Sequence, residues 1–213
     1  SDDLLYNKFS IEKLYNSISG YDLAVGAIID EREEGYYYFQ NHVGCLHGKL
    51  YSREFINKYN LKFNDTRSNE DNSFNRLYLL GQPRIAYVND EVYLYKYNVN
   101  SLTSTSFKFD DLKWYIYNVN WCIENAVSRN FDMYLIIRYV FSSIVYIYNV
   151  YVCNLNNKRI NLILDWMNEL VIFYEKYAYL LSSNDKLELY REYDCNIIPD
   201  VSLNEFLKIC KDN

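Results

Sequence analysis

The spacing of apolar residues changes character about halfway along this chain of 213 residues. Up to about residue 100, short apolar runs such as Leu23–Ile29 alternate with stretches of helical period. From Asp110 onward, apolar positions recur at helical spacing over long stretches. Alternating helices and strands are typical of an α/β fold, and long helical patterns are typical of all-α structure. The sequence therefore predicts an α/β domain over residues 1–105 followed by an all-α helical region over residues 106–213.

Capping and helix-breaking residues locate the individual elements. In the first half they predict a helix from Ser10, a buried strand over Leu23–Ile29, a strand or aromatic loop over Tyr36–Phe39, helices over Ser52–Tyr59 and Asn72–Leu80, and paired strands over Arg84–Val88 and Val92–Tyr97. In the second half they predict helices that begin at Asp110 or Asp111, at Asp132, at Asn156 or Asn157, and at Asn184, and a capping box at Ser202–Glu205. The boundary between the halves is predicted near residues 104–109.

The composition argues against several classes of protein. Half of the residues are apolar, and 25 tyrosines and 11 phenylalanines supply the bulk of a packed interior. The net charge of −6 disfavours non-specific nucleic-acid binding, which needs clustered lysine and arginine. The five cysteines include no Cys-x-x-Cys pair, so neither a zinc site nor a disulfide framework is predicted. Reduced thiols are typical of the cytoplasm, which is the location we expect.

The most apolar run, Met133–Val152, is interrupted by Arg138 and Asn149. We therefore predict a buried helix there and no membrane span. Aromatic residues of the second half recur at helical spacing, which favours core packing over carbohydrate stacking.

The segment Asn69–Phe74 contains the strongest candidate for chemistry. Its adjacent acids, Glu70 and Asp71, lie in a polar loop just before an apolar run. An ionised carboxylate held by a rigid element can abstract a proton from a substrate. The same residues also fit the start of a helix, where Asn69 would cap the first turn and the acids would favour the positive end of the dipole. The pair alone favours the helix-start interpretation.

Four segments of the first half, taken in order, carry a resemblance to a known family. They are Ser1-Asp2-Asp3, His47–Phe55, Asn69–Phe74 and Val92–Thr103. Taken in the same order, they resemble four segments of family 2 glycosyltransferases. These are the tail of the Asp-Ser-Asp-Asp motif, the G-K-L-Y-x-R-E-F segment, the x-E-D-x-x-F segment and the Y-x-Y-R/K-x-x-x-x-S-L/I-T strand and loop. Members of the family are inverting, nucleotide-sugar-dependent enzymes with a GT-A-type fold. The resemblance covers about residues 1–105.

The resemblance implies the C-terminal part of a GT-A-type catalytic domain over residues 1–105, with the remainder as a helical accessory domain. It implies transfer of a sugar from a nucleotide-diphosphate sugar to a hydroxyl acceptor with inversion. Asp71 would be the general base, and Glu70 would orient it or touch the acceptor. Asp2 and Asp3 would bind Mg²⁺ or Mn²⁺ together with phosphate oxygens of the donor. The alternative for these two residues is a frayed acidic terminus.

The resemblance also implies a set of substrate-binding residues. His47 would hydrogen-bond a sugar or phosphate oxygen or satisfy a core position, and Gly48 would allow close backbone approach to a ligand. Lys49 and Arg53 would lie near phosphates, although Arg53 equally fits an ion pair on a solvated face. Lys96 would contact the diphosphate or face solvent.

The family places a nucleotide-binding βαβ segment before its aspartate motif, so we expect activity to require such a segment ahead of Ser1. The expected partners are a nucleotide sugar and a hydroxyl-bearing acceptor, with a homo-oligomer or a companion chain at an open sheet edge. Nucleic acid is expected only as a modified acceptor. The alternative function is a non-catalytic interaction or scaffold protein that retains a partial glycosyltransferase fold.

Overall fold

The computed structural model describes residues 3–66, 68–98, 109–149, 160–191, 205 and 207–208. The chain divides into two compact units, Ser1–Asp111 and Leu112–Asn213. The elements up to residue 98 are β1 (Leu4–Leu5), α1 (Ser10–Ser17), β2 (Leu23–Arg32), β3 (Gly35–Phe39), β4 (Lys49–Tyr51), α2 (Arg53–Tyr59), α3 (Glu70–Leu80) and β5 (Ile85–Tyr95). The elements described from residue 109 onward are α4 (Phe109–Ser128), α5 (Met133–Ile147), α6 (Ile160–Tyr177), a 3-10 turn (Ala178–Leu180) and α7 (Ser183–Arg191).

The first unit is built on a mixed five-stranded sheet in the order β1-β5-β2-β3, with β4 also paired to β2. The central strands β2 and β5 run parallel, and the other described pairs are antiparallel. Strand β4 pairs with the first residues of β2 and β3 pairs with the last, so both lie on the side of β2 opposite β5. The predicted buried strand at Leu23 is confirmed, and it is the centre of the sheet.

The prediction of two paired strands over Arg84–Val88 and Val92–Tyr97 is wrong. A single strand, β5, runs through Asn89-Asp90 and pairs with β2. The register between them shifts twice around Ala27, which absorbs the extra residues in a bulge. Asn89-Asp90 has the composition of a turn, but long-range pairing with a buried strand overrides that local preference.

The core of the first unit packs on the two central strands. Leu14 of α1 packs in one cluster with Ala24, Val88 and Val92. A side chain at Gly26 would place its Cβ only 2.3 Å from a methyl group of Val92, so close packing of β5 on β2 requires glycine there.

Strand β3 lies at an edge of the described sheet, because its described pairing is with β2 alone. The side chains over Tyr36–Phe39 are exposed, Tyr36 to 69%. This is the open edge at which association with another chain was expected, and that association stays a prediction.

The helices of the second unit bury apolar faces. Helix α5 begins after Asp132, whose carboxylate accepts a hydrogen bond from the backbone N–H of Tyr134 at 2.8 Å, as its capping position predicts. The capping box predicted at Ser202–Glu205 lies largely outside the described residues. Within the described part of the chain, no helix is both long and apolar enough to cross a bilayer.

Candidate functional site

Asp71 lies in the first turn of α3, next to Glu70. Asn69 precedes the helix in the left-handed backbone conformation. The prediction that its side chain caps the first turn is wrong, because that side chain accepts no hydrogen bond from the backbone of the turn. Its amide oxygen instead accepts a hydrogen bond from the side chain of Asn72 at 3.3 Å, while the backbone N–H of Asn72 donates to Asp71 Oδ1 at 2.8 Å. Both acids lie in the first turn of α3, at the positive end of the helix dipole, where negative charge is stabilising.

The Asp71 side chain borders a cavity of about 650 Å³ in the first unit. The segment that leads into β4 forms one wall, with His47, Gly48 and Lys49. Apolar side chains such as Leu14, Ile56, Phe63, Phe74 and Val92 form much of the remainder. The volume is in the range of small-molecule sites, and a few polar groups converging on an apolar wall are typical of them.

His47 is half-buried and stacks between two tyrosines of β5. Its ring centroid is 4.9 Å from that of Tyr93 and 5.4 Å from that of Tyr95. Burial lowers the pKa of His47, with a further contribution from the charge of Lys49, while the carboxylates of Asp3 and Asp71 act in the opposite direction. Both candidate carboxylates therefore lie within electrostatic reach of this histidine, which is held as the neutral imidazole at neutral pH.

The Lys49 amine donates hydrogen bonds back into the loop that precedes it. It contacts the backbone oxygen of Cys45 and, at 3.4 Å, that of His47. Burial lowers the pKa of Lys49. Lys49 lines the cavity, but these bonds turn its charge toward the loop, and its predicted role near phosphates stays a prediction.

Gly48 adopts a positive φ of 70°. A Cβ at this position would lie 2.8 Å from Cγ1 of Ile28, a core residue of β2. The structure therefore requires glycine at this position for packing against Ile28, and the approach of a ligand to Gly48 stays a prediction.

Asp3 is held beside the cavity by β5. Its two carboxylate oxygens accept hydrogen bonds from the Tyr93 hydroxyl at 3.1 Å and the Lys96 backbone N–H at 3.2 Å. Burial, followed by the bond to Asp3, raises the pKa of Tyr93 to about 12. Tyr93 itself lines the cavity. Asp2, the second predicted metal ligand, lies outside the described residues.

The remaining predicted site residues lie away from the cavity wall. The Lys96 amine forms an ion pair with Glu31 at 2.8 Å. Arg53 begins α2 with an exposed side chain, and Glu70 does not line the cavity although it adjoins Asp71. The structure therefore brings together Asp71 with the His47–Lys49 segment, and it places Asp3 nearby.

Asn75 and Tyr51 connect these parts, and sequence reasoning missed both. Asn75 is 1% exposed on α3, one turn after Asp71. Its amide donates to the backbone oxygens of Val43 at 2.7 Å and Gly44 at 3.0 Å, and its oxygen accepts from the Tyr51 hydroxyl at 2.8 Å. The available signal was a polar residue between the apolar positions 74 and 77, four residues after an acid on the same helical face.

Comparison of the sequence with protein-family models and with curated proteins finds no match. Among solved structures, TarS 1–349 from S. aureus in complex with UDP-GlcNAc is similar in fold, with a TM-score of 0.67 and 12% identity over 90% of this chain and 64% of that chain. TarS 1–349 in complex with UDP gives a TM-score of 0.64 and 12% identity, over 100% of this chain and 64% of that chain. TarS 1–349 alone gives 0.62 and 11% identity, over 90% and 63%.

The chain thus spans somewhat less than two thirds of the length of these TarS structures. At this level of identity the likeness concerns the fold alone. The chain shares the fold of these TarS structures.

Proposed function

We propose that this chain belongs to an inverting glycosyltransferase that transfers a sugar from a nucleotide-diphosphate sugar to a hydroxyl acceptor. One observation carries the proposal: the half-buried Asp71 carboxylate lines a ligand-sized cavity beside His47, Gly48 and Lys49, within a glycosyltransferase-like fold. Residues 1–105 would contribute the C-terminal part of the catalytic domain. Residues 106–213 would form a helical accessory domain that binds the acceptor, a partner or a second subunit.

In the proposed reaction Asp71 acts as the general base. It takes the proton from the acceptor hydroxyl as that oxygen attacks the anomeric carbon of the donor sugar. The bond from this carbon to the diphosphate oxygen breaks in the same displacement, so the configuration inverts and the nucleoside diphosphate leaves. Glu70, its neighbour in the first turn of α3, would orient the Asp71 carboxylate.

The leaving diphosphate needs positive charge, which Mg²⁺ or Mn²⁺ would supply when bound. Among the described residues, no group of three or more His, Cys, Asp or Glu side chains could hold a metal ion by itself. Magnesium bound with a nucleotide commonly uses one or two carboxylates together with phosphate oxygens, and Asp3 fits that smaller role. The bonds from Tyr93 and Lys96 fix the orientation of the Asp3 carboxylate.

The test is the Asp71→Asn substitution in protein that includes the segment expected ahead of Ser1. Transfer is assayed with a panel of UDP-sugars, of which UDP-GlcNAc is the first. We expect turnover to fall by roughly 10²–10⁴-fold, the usual contribution of a general base. Donor affinity should change little, because the base acts on the acceptor. The matched control is Asp65→Asn, an exposed acid in the preceding loop, which should transfer at the wild-type rate. Full transfer by Asp71→Asn would remove Asp71 as the base.

A second candidate is a non-catalytic interaction protein that retains this fold. Two observations favour it: much of the cavity wall is apolar, and the Lys49 amine is bonded to its own loop. This alternative predicts no binding of any UDP-sugar and no effect of Asp71→Asn on partner binding. Calorimetric titration with UDP-GlcNAc and UDP, with and without Mg²⁺, separates the two candidates when it uses protein that includes the nucleotide-binding segment expected ahead of Ser1.

A further inference from the structure

We infer that Asn75 is a positioning residue for the proposed transfer, an inference that rests on the proposed function. It holds the segment of residues 43–47 against α3, so that His47 and Asp71 face the same cavity. Asn75 does not line the cavity itself and would act through the groups that do.

The Asn75 side-chain amide forms hydrogen bonds through both its NH₂ group and its oxygen. Two N–H groups donate to consecutive backbone oxygens, those of Val43 and Gly44, at 2.7 and 3.0 Å. The amide oxygen accepts from the Tyr51 hydroxyl at 2.8 Å. Tyr51 belongs to β4, so one side chain of α3 is bonded both to the loop and to the strand that follows it.

The position of Asn75 on the helix explains why this matters for Asp71. Residues four apart lie on one face of an α-helix, so Asp71 and Asn75 present their side chains to the same neighbouring segment. The loop that Asn75 bonds at residues 43 and 44 is the one that delivers His47 to the cavity. The spacing between Asp71 and His47 is therefore set in part by the Asn75 bonds.

Other contacts of the loop serve a different purpose. The Lys49 amine bonds the backbone oxygens of Cys45 and His47, which shapes the loop internally. Bonds within the loop do not fix its distance from α3, whereas those of Asn75 do. A hydrophobic residue of similar size would fill the space but remove the donors to two part-buried carbonyls and the acceptor for the Tyr51 hydroxyl.

A transfer reaction is sensitive to such placement, because a misplacement of about 1 Å can cost 10²-fold in rate. Loss of the Asn75 donors should therefore reduce kcat more than it changes donor affinity. A residue with only a structural role would lower the fraction of folded protein and leave kcat per folded molecule unchanged.

The test compares Asn75→Asp with wild type in the full chain. Aspartate keeps the shape and the acceptor for Tyr51 but cannot donate to the two carbonyls when ionised. We expect kcat to fall roughly 10- to 100-fold, donor KM to stay within about threefold, and amide hydrogen exchange over residues 43–48 to accelerate. Asn57→Asp is the matched control, because it adds the same charge on an exposed face of α2 and should change none of these quantities.

A second variant, Asn75→Ser, allows the inference to be tested if Asn75→Asp does not fold. Asn75→Ser retains one hydroxyl donor and should give kcat between those of wild type and a non-donating residue. Wild-type kcat in either folded variant would overturn the inference, as would accelerated exchange with unchanged kcat. If wild-type protein that includes the segment expected ahead of Ser1 transfers no sugar from any donor of the panel, the proposed function itself fails. If it does transfer, only the role of Asn75 is at stake.

Discussion

Helix α3 of the first unit and helix α5 of the second both bury one face, but the buried faces differ in chemistry. Helix α3 buries Asn75 and Ser73 among its apolar residues, and both make hydrogen bonds. Helix α5 buries a nearly continuous apolar set, which includes Ile136, Val140 and Ile144. The buried face of α3 therefore positions other groups, whereas that of α5 fills space.

This difference predicts how each helix responds to substitution. Changes to polar side chains of α3 should alter the geometry of the candidate site, which an activity measurement detects. Changes to α5 should alter the free energy of unfolding rather than the geometry of the site, because apolar contacts are not directional. The following experiments can contradict or sharpen that contrast.

The largest effect on stability is expected for Ile144→Ala. Ile144 is completely buried in α5, and its truncation removes apolar contacts and leaves a cavity. We expect the free energy of unfolding to fall by about 2–5 kcal/mol, measured by urea denaturation followed by far-UV circular dichroism. Transfer per folded molecule should be unchanged.

Ile172→Ala is the matched control for this substitution. Ile172 lies on α6 with 58% of its surface exposed, so the same truncation should change stability by no more than about 0.5 kcal/mol. A loss of transfer in Ile144→Ala at unchanged stability would show that α5 acts on the site, and the contrast with α3 would be lost.

Loss of stability between pH 7 and 5 should come from the first unit, because both histidines of the chain, His42 and His47, lie there. Burial lowers the pKa of each, and the Lys49 charge lowers it further. The unfolded chain therefore binds protons at a higher pH than the folded chain does. Stability from the neutral imidazoles is present above the usual histidine pKa near 6.5 and is lost as the pH falls from there toward the lowered values.

Thermal unfolding between pH 7.5 and 5 measures this loss. Replacement of both histidines, His42→Gln with His47→Gln, should flatten the dependence of Tm on pH in that window. Asp22 and Asp185 have lowered pKa values, mainly from hydrogen bonds with Arg84 and Ser182 respectively, so their contributions are lost at more acidic pH. An unchanged slope between pH 7 and 5.5 in the double variant would contradict the assignment.

The sequence indicated which segments contribute to the candidate site better than it indicated the contacts that connect them. The acidic pair at Glu70-Asp71 and the His47–Lys49 segment could be singled out because each resembles a family motif and the motifs occur in the family's order along the chain. The parallel pairing of β5 with β2 could not, because Asn89-Asp90 looks like a turn unless the neighbouring strand is known. Long-range pairing of this kind leaves no local pattern.

Three residues show that the sequence also does not reveal individual contacts between residues far apart in the chain. Gly48 was assigned to the approach of a ligand, whereas the neighbour that requires glycine there, Ile28, lies twenty residues earlier in the chain. Lys96 was assigned to a phosphate or to solvent, whereas its partner Glu31 lies on another strand. Asn75 gave no motif at all, since its amide donates to backbone oxygens, which are present whatever the sequence.

The smallest effect compares two serines that are each 2% exposed, Ser73 on α3 and Ser143 on α5. The Ser73 hydroxyl donates to the backbone oxygen of Glu70 at 2.9 Å, whereas the Ser143 hydroxyl has no hydrogen-bond partner among the residues that the structure describes. A satisfied hydrogen bond contributes about 0.5–1.5 kcal/mol, so Ser73→Ala should destabilise the chain by about that amount. Ser143→Ala removes a buried polar group that gains nothing from its surroundings, so stability should stay equal or rise by up to about 1 kcal/mol. Urea denaturation of both variants side by side gives the answer, and a clear loss of stability in Ser143→Ala would show that α5 also depends on a specific polar contact.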